Sequence, residues 1–331
     1  EHGGDIVWQI GTGYFGCRND NGGFNPDTFK VNADKDVVKM IEIKLSQGAK
    51  PGHGGILPAA KLTQEIADIR HVPMGKDVVS PPAHSTFSNP IGLLEFVKQL
   101  RELSGGKPIG FKLCIGRHDE FLAICKAMIE TGITPDFITV DGGEGGTGAA
   151  PTEMTNSVGS PLRDGLIFVN NALIGFGLKD KIRIIASGKM FSAFHILRAL
   201  ALGADTVNSA RGMMMSLGCI QARTCNSDRC PTGIATQNPS RNKAIVVTDK
   251  SERVANFQKE TVSNLVELVG AAGLNGLHEL KPKHINRRVQ GTEVKSYAQL
   301  YPCIPTGALL KEDSTPDAWR FDMQQANAAS W

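Results

Sequence analysis

Asp136-Phe137-Ile138-Thr139-Val140-Asp141-Gly142-Gly143-Glu144-Gly145-Gly146-Thr147-Gly148 is the stretch that decides the fold. An apolar, β-branched run passes without a break into a loop made mostly of glycine. Such a run reads as a strand covered on both faces, and the glycines let backbone N–H groups approach a ligand closely. The theme repeats outward in both directions. Met40–Ser46 leads into Gln47–Gly55, Asp77–Ser80 into Pro81-Pro82, and Pro108–Cys114 into a short polar loop. Ile182–Ala186 precedes Ser187-Gly188-Lys189, and Asp205–Asn208 precedes Ser209-Ala210-Arg211-Gly212. Helical spacing of apolar residues covers Ile91–Leu103, about Asp119–Thr131 and a segment ending at Leu202. Alternating strands and helices with short connections make a parallel sheet, because each crossover needs a helix to return the chain.

A doubly wound sheet and a (β/α)8 barrel both fit that alternation, and the loops favour the barrel. Polar and glycine-rich residues follow every strand, and a barrel gathers all those loops into one mouth, whereas an open sheet concentrates its site at one switch point. Six strands are read where a barrel needs eight. The expected fold is therefore a (β/α)8 TIM barrel lacking its first two strands in this chain, with a C-terminal helical extension. Residues 1–39 are expected to be a loop-rich insertion at the barrel mouth, and 40–240 strands 3–8 with the site. Residues 241–331 read as a helical wrap of the same domain. The opening at Glu1 reads as the middle of a longer sequence.

Composition narrows the class. The chain has 331 residues, 41% hydrophobic and 21% charged, with a formal net charge of +3. That is globular composition, and no Lys/Arg block of five or more suggests nucleic acid. No apolar run reaches the ~18 residues of a membrane span; the most apolar helix, Phe191–Ala204, is interrupted by His195 and Arg198. No leader-like segment is seen, so a cytoplasmic location is expected. The 37 glycines exceed the usual ~7% and cluster at strand ends. Of seven cysteines, Cys17, Cys114, Cys125 and Cys303 are scattered and read as small buried hydrophobes.

Three constellations carry chemistry. Side chains alternate along a strand, so Ile41, Ile43 and Leu45 share one face, and Glu42, Lys44 and Ser46 the other. Lys112 has the same placement as Lys44. Each lysine either faces solvent, pairs with a strand carboxylate, or serves an anionic ligand or reduced flavin, with Lys50 in the adjacent loop favouring the last. Ser187-Gly188 and Arg211-Gly212 stand where barrels commonly hold a phosphate, and an arginine there offers a bidentate donor. Cys219, Cys225 and Cys230, spaced C-x5-C-x4-C with Pro231 following, suit an iron–sulfur cluster better than zinc, which wants four ligands at shorter spacing.

Lys44-Leu45-Ser46-Gln47-Gly48-Ala49-Lys50-Pro51-Gly52, the Asp141–Pro151 loop and Cys219–Gln237 together resemble the synthase domain of glutamate synthases. More narrowly, the chain is similar to stand-alone FMN-binding glutamate-synthase-like proteins over roughly residues 1 to 310. The resemblance implies a (β/α)8 barrel with FMN and a 3Fe-4S cluster, which reduces 2-iminoglutarate, made from 2-oxoglutarate and ammonia, to L-glutamate. It implies Lys44 and Lys112 as catalytic residues, Lys112 beside the flavin ring, and Gln47, Lys50 and Arg70 as substrate-binding. Asp141, Gly142, Gly143, Ser187, Gly188, Arg211 and Gly212 would hold FMN, and Cys219, Cys225 and Cys230 the cluster. An electron-donor protein is implied, either ferredoxin or an NAD(P)H-oxidising subunit.

Two stretches depart from that pattern. Gly52-His53-Gly54-Gly55-Ile56 replaces Gly-Glu-Gly-Gly-Gln, and Pro81-Pro82-Ala83-His84-Ser85 replaces Pro-Pro-Pro-His-His. The first change leaves room for another 2-oxo or 2-hydroxy acid as substrate. A catalytically idle electron-transfer or scaffold subunit is the remaining alternative. No amidotransferase domain is read, so ammonia would come from solution or a partner chain.

Overall fold

The computed structural model describes residues 3–146, 148 and 150–331; Glu1 and Thr147, both used in the sequence reading, lie outside the described residues. β1 (Ile6–Ile10) is followed by α1 (Pro26–Ala33) and β2 (Val38–Lys44). A short excursion then carries β3 (Ile56–Leu57), α2 (Gln64–Arg70) and β4 (Val78–Val79). The regular alternation resumes with α3 (Pro90–Leu103), β5 (Ile109–Leu113), α4 (His118–Thr131), β6 (Phe137–Asp141) and α5 (Leu162–Gly175). It closes with β7 (Arg183–Ser187), α6 (Ala193–Ala201), β8 (Thr206–Asn208) and α7 (Arg211–Ser216).

Six strands form one sheet in the order β1-β2-β5-β6-β7-β8, every pair parallel. The order follows the chain and never reverses. A doubly wound sheet reverses at its switch point; a barrel does not. The sheet is curled into a half-barrel, an α/β fold of the barrel kind. Ile41, Ile43, Ile109, Phe111, Ile138, Val140 and Ile184 are buried on one face beneath the helices. The helices begin where local chemistry supplies caps. Asn89 accepts from the Gly92 N–H at 2.8 Å ahead of Pro90, and the Ser192 hydroxyl accepts from the His195 N–H at 3.3 Å, the preferred N-cap arrangement.

Two strand assignments are corrected. Val78–Val79 lies outside the main sheet: it pairs antiparallel with Ile56–Leu57 in a separate ribbon. Pro81-Pro82 stops it after two residues, and Val79 is 64% exposed, so no second layer covers it. Its place is taken by Ile6–Ile10, inside the segment expected to be an insertion. There β1 pairs with β2, and α1, capped by the Asn25 side chain at 3.0 and 3.1 Å, completes a β–α unit. The glycine- and asparagine-rich residues between them mask that unit in the sequence.

After α7 the chain makes α8 (Pro239–Asn242) and the long α9 (Val247–Ala271), which packs on α6 and α7. A hairpin of β9 (Asn286–Gln290) and β10 (Glu293–Ser296), absent from the sequence reading, turns at Gly291 with φ +52. α10 (Tyr297–Leu300) and α11 (Asp317–Gln325) follow, α11 against α4. Among the described residues no helix is long and apolar enough to cross a membrane. Cys17, Cys114 and Cys125 are buried as expected, whereas Cys303, in the loop beyond α10, is exposed.

Candidate functional site

The register fixes which side chains meet inside the half-barrel. Lys44 on β2 pairs with Lys112 on β5, which pairs with Thr139 on β6. Gln9 pairs with Glu42. These residues lie on the face opposite the helix-covered one. Glu42, 5% exposed, accepts hydrogen bonds from the Gln9 amide and the Thr139 hydroxyl. One layer nearer the mouth, Lys112 Nζ lies 3.3 Å from Asp141 Oδ2. That oxygen also accepts from the Gly48 N–H at 2.8 Å, which ties the loop after β2 to the end of β6. Lys112 thus has a strand carboxylate as its partner.

Lys44 is placed differently. Its ammonium donates to Gln47 Oε1 at 3.2 Å and has no ion-pair partner among the described residues. Burial pushes its pKa below the usual lysine range, and the charges of Lys112 and Lys50 push the same way; Asp141 and Glu42 oppose. His84, buried between loops, fixes the backbone there. One ring nitrogen meets the Lys44 carbonyl at 2.9 Å, the other the Tyr14 hydroxyl at 3.1 Å. Burial lowers its pKa. Its stretch shows in the sequence as a departure from the family pattern, but Tyr14 gives no such signal.

Lys44, Gln47, Lys50 and Arg70 line one cavity of about 400 Å³ at the mouth, with His53 and Ile56 in the same wall. They come from four places: the end of β2, the loop after it, the β3 ribbon and the last residue of α2. Among the described residues no Asp or Glu lines it. Burial lowers the pKa of both Lys50 and Arg70, the mark of cations without counter-charges. Chemically, the wall suits an anion with more than one negative group.

The glycine-rich loop lies beside this cavity. A Cβ on Gly48 would stand 1.7 Å from the Gly142 carbonyl oxygen, so only glycine allows the loops after β2 and β6 to meet. The N–H of Gly142 donates to the Ser187 carbonyl at 2.9 Å and that of Gly143 to the Ser160 carbonyl at 2.7 Å. Glu144 accepts from the Leu162 N–H and starts α5. Gly188 follows β7, with the Gly142 nitrogen 3.3 Å from where its Cβ would lie. A second cavity of about 240 Å³ is lined by Gly146, Gly148, Lys189, Arg211 and Arg223, with Glu144 the one carboxylate among its described lining residues. Lys189 and Arg223, at φ +50 and +56, are cations the sequence reading missed. Gly212 is buried in α7 and faces Phe257 of α9, not this cavity.

The thiols of Cys219, Cys225 and Cys230 are free and half-buried. Arg211 donates to Cys219 Sγ at 3.6 Å and to the Gly146 carbonyl at 3.1 Å. Lys61 bridges the carbonyls of Cys225 and Ala235 at 2.9 and 3.3 Å. Burial alone would raise the pKa of Cys230; the Thr232 hydroxyl and the N–H groups of Ala235, Thr232 and Ile234 outweigh it and bring it to about 7. Thr224 Oγ1 is buried without a partner. The donor chemistry fits thiolate ligation. The geometry does not gather it: among the described residues no three His, Cys, Asp or Glu side chains converge on a metal position.

The family model described as "Conserved region in glutamate synthase" matches residues 1–275. The glutamate synthase large subunit-like protein YerD of Bacillus subtilis is 44% identical over 291 residues, 88% of this chain and 55% of that protein. The archaeal glutamate synthase (NADPH) of Methanocaldococcus jannaschii is 36% identical over 291 residues, 88% of this chain and 54% of that protein. The chain thus spans about half the length of these curated relatives. Among solved structures, a mutant flavocytochrome b2 with benzoylformate has a TM-score of 0.48 at 14% identity, over 84% of this chain and 53% of that one, a likeness too slight to bear on function.

Proposed function

The chain belongs to the glutamate synthase family, and from that premise we propose that it is an FMN-dependent enzyme reducing 2-iminoglutarate, formed from 2-oxoglutarate and ammonia, to L-glutamate. The observation that carries this reading is the charge of the larger of the two cavities, where Lys44, Lys50 and Arg70 stand with no carboxylate in the wall among the described residues. A dicarboxylate offsets that charge from two sides: Lys44 with Gln47 at the sheet end, Lys50 and Arg70 on the loop and helix walls. Held so, the carbon to be reduced is fixed at the mouth. Lys44 Nζ, with its lowered pKa, is placed to hold and release a proton beside the substrate.

FMN, when bound in reduced form, supplies the two electrons of the imine reduction. The residues present suit it. The contact of Gly48 with Gly142 leaves no Cβ in the way, Lys112 pairs with Asp141 at the adjoining strand ends, and three cations, Lys189, Arg211 and Arg223, outnumber Glu144 in the wall of a cavity that suits a phosphate. Closure of the half-barrel by two further strands belongs to the same proposal. The three cysteines remain the proposed holders of a 3Fe-4S cluster, supported by the thiolate-favouring surroundings of Cys230. A second reading, another 2-oxo or 2-hydroxy acid as substrate, draws support from His53 and Ile56 in the cavity wall.

The deciding experiment loads the full chain with FMN, reduces it with dithionite and adds 2-oxoglutarate with saturating ammonium. Chromatographic detection of glutamate is expected. Bound flavin with no glutamate overturns the reading, and turnover of a different 2-oxo acid replaces it with the second one.

A further inference from the structure

Arg70 is the last residue of α2, and His71 at φ +53 ends the helix behind it. Its guanidinium lies over the Phe15 ring, 4.6 Å from the centroid. Among the described residues it has no ion-pair partner, and desolvation is the one influence shifting its pKa. Most half-buried arginines are held by a carboxylate. This one is held by an aromatic face, which leaves its in-plane N–H fork free for a ligand. Phe15 comes from a distant part of the chain, the loop after β1, and lines the same cavity. A Cβ on Gly13 would stand 2.8 Å from the Phe15 ring, so the backbone there is shaped around the folded-back ring. Leu57, Ile66 and Val72 join Phe15 in a small apolar cluster around Leu62, Ala67 and Val78. Packing in that cluster seats the Phe15 ring in the fold independently of Arg70.

We propose that Phe15 is a positioning residue that fixes Arg70 edge-on to the cavity and so sets the preference for a substrate with a second, distal carboxylate. The inference rests on the reading of the cavity as a 2-oxo dicarboxylate site. Carboxylate pairing of Arg70 within the protein would have competed with the ligand; stacking orients the charge without neutralising it. The aromatic face also keeps water from one side of the guanidinium, which strengthens its hydrogen bonds to an anion.

Calorimetric binding of 2-oxoglutarate and of 2-oxobutyrate, which keeps the 2-oxo acid head and lacks the distal carboxylate, tests this. F15L is expected to weaken 2-oxoglutarate by about 3- to 30-fold and leave 2-oxobutyrate unchanged, while F15Y keeps the native affinity for both. In an R70M background, F15L should have no further effect on 2-oxoglutarate. Equal 2-oxoglutarate affinity of F15L and the native chain overturns the positioning role alone. Parallel loss of both acids in F15L, with a lowered thermal midpoint, overturns it in favour of a purely structural one. Failure of the native chain to bind 2-oxoglutarate at all removes the dicarboxylate reading and the proposal with it.

Discussion

Lys44 and Lys112 sit opposite each other on neighbouring strands, yet they belong to different regions. Lys112 has its carboxylate, Asp141, at 3.3 Å. Lys44 has a neutral amide and a lowered pKa. The same contrast separates the half-barrel interior from the mouth. Inside, Glu42 is met by Gln9 and Thr139; at the mouth, Lys50, Arg70 and Lys44 share a cavity with no acid in its wall among the described residues. Buried charge is costly unless paired. Pairs completed within the chain hold the fold, and charges left incomplete mark where a ligand completes them.

Removing a partner from the completed side has the largest expected effect. D141N strands Lys112 and weakens the tie to Gly48, so unfolding free energy should fall by about 3–5 kcal/mol, read from urea titration. Exchanging both partners for apolar residues, K112M with D141L, should recover part of the loss, because a buried pair is often no better than its apolar replacement. An unchanged urea midpoint for D141N would move Lys112 to the incomplete side and dissolve the contrast.

On the incomplete side, substituting Arg70 or His53 should change binding and leave folding alone. R70A removes a free charged donor, and 2-oxoglutarate affinity should drop about 10- to 100-fold, with the thermal midpoint held. Destabilisation without loss of affinity would show that Arg70 is structural. H53E places a carboxylate in the wall. His53 is exposed, so water and salt screen the change. A loss of about threefold in 2-oxoglutarate affinity is expected, shrinking as salt is raised; a salt-independent loss would point to a steric cause.

The parallel α/β class and the strand-end loops were legible because hydrophobic runs and glycine clusters are local signals. Residues 6–10 carry a strand's composition, but the polar loop behind them hides the helix that makes them part of the sheet. Val78–Val79 looks equally strand-like, and only its exposed position beside Pro81-Pro82 betrays a ribbon. Lys44 and Lys50 stand out from strand alternation and the adjacent loop, Gln47 and Arg70 only through motif resemblance, and the cavity they share depends on the fold. Phe15 and Arg223 had no signal of their own, and His84 only that of a stretch departing from the family pattern. Their roles come from residues far along the chain, Arg70, Tyr14 and Lys44, or from a left-handed backbone at Arg223 that composition does not reveal.

The smallest effect is the most direct test of the contrast, because it is read on Lys44 itself. Burial first, then Lys112 and Lys50, hold its pKa below the ordinary 10.5. Protonated Lys44 is therefore less favourable in the folded chain than in the unfolded one at every pH below its folded pKa. As pH rises from that value toward 10.5, the folded chain loses its proton first and the cost fades. K44M removes the charge and the cost together. The variant should be the more stable protein at neutral pH, with the gap closing as 10.5 is approached, as urea titrations across the alkaline range would show. Bound 2-oxoglutarate should narrow the gap at neutral pH, since it stabilises the native chain by supplying the missing counter-charge and gains less from the variant. If the stability curves of the two proteins run parallel with pH, Lys44 is not strained by its neighbours, and the distinction between the two lysines reduces to a difference in partners.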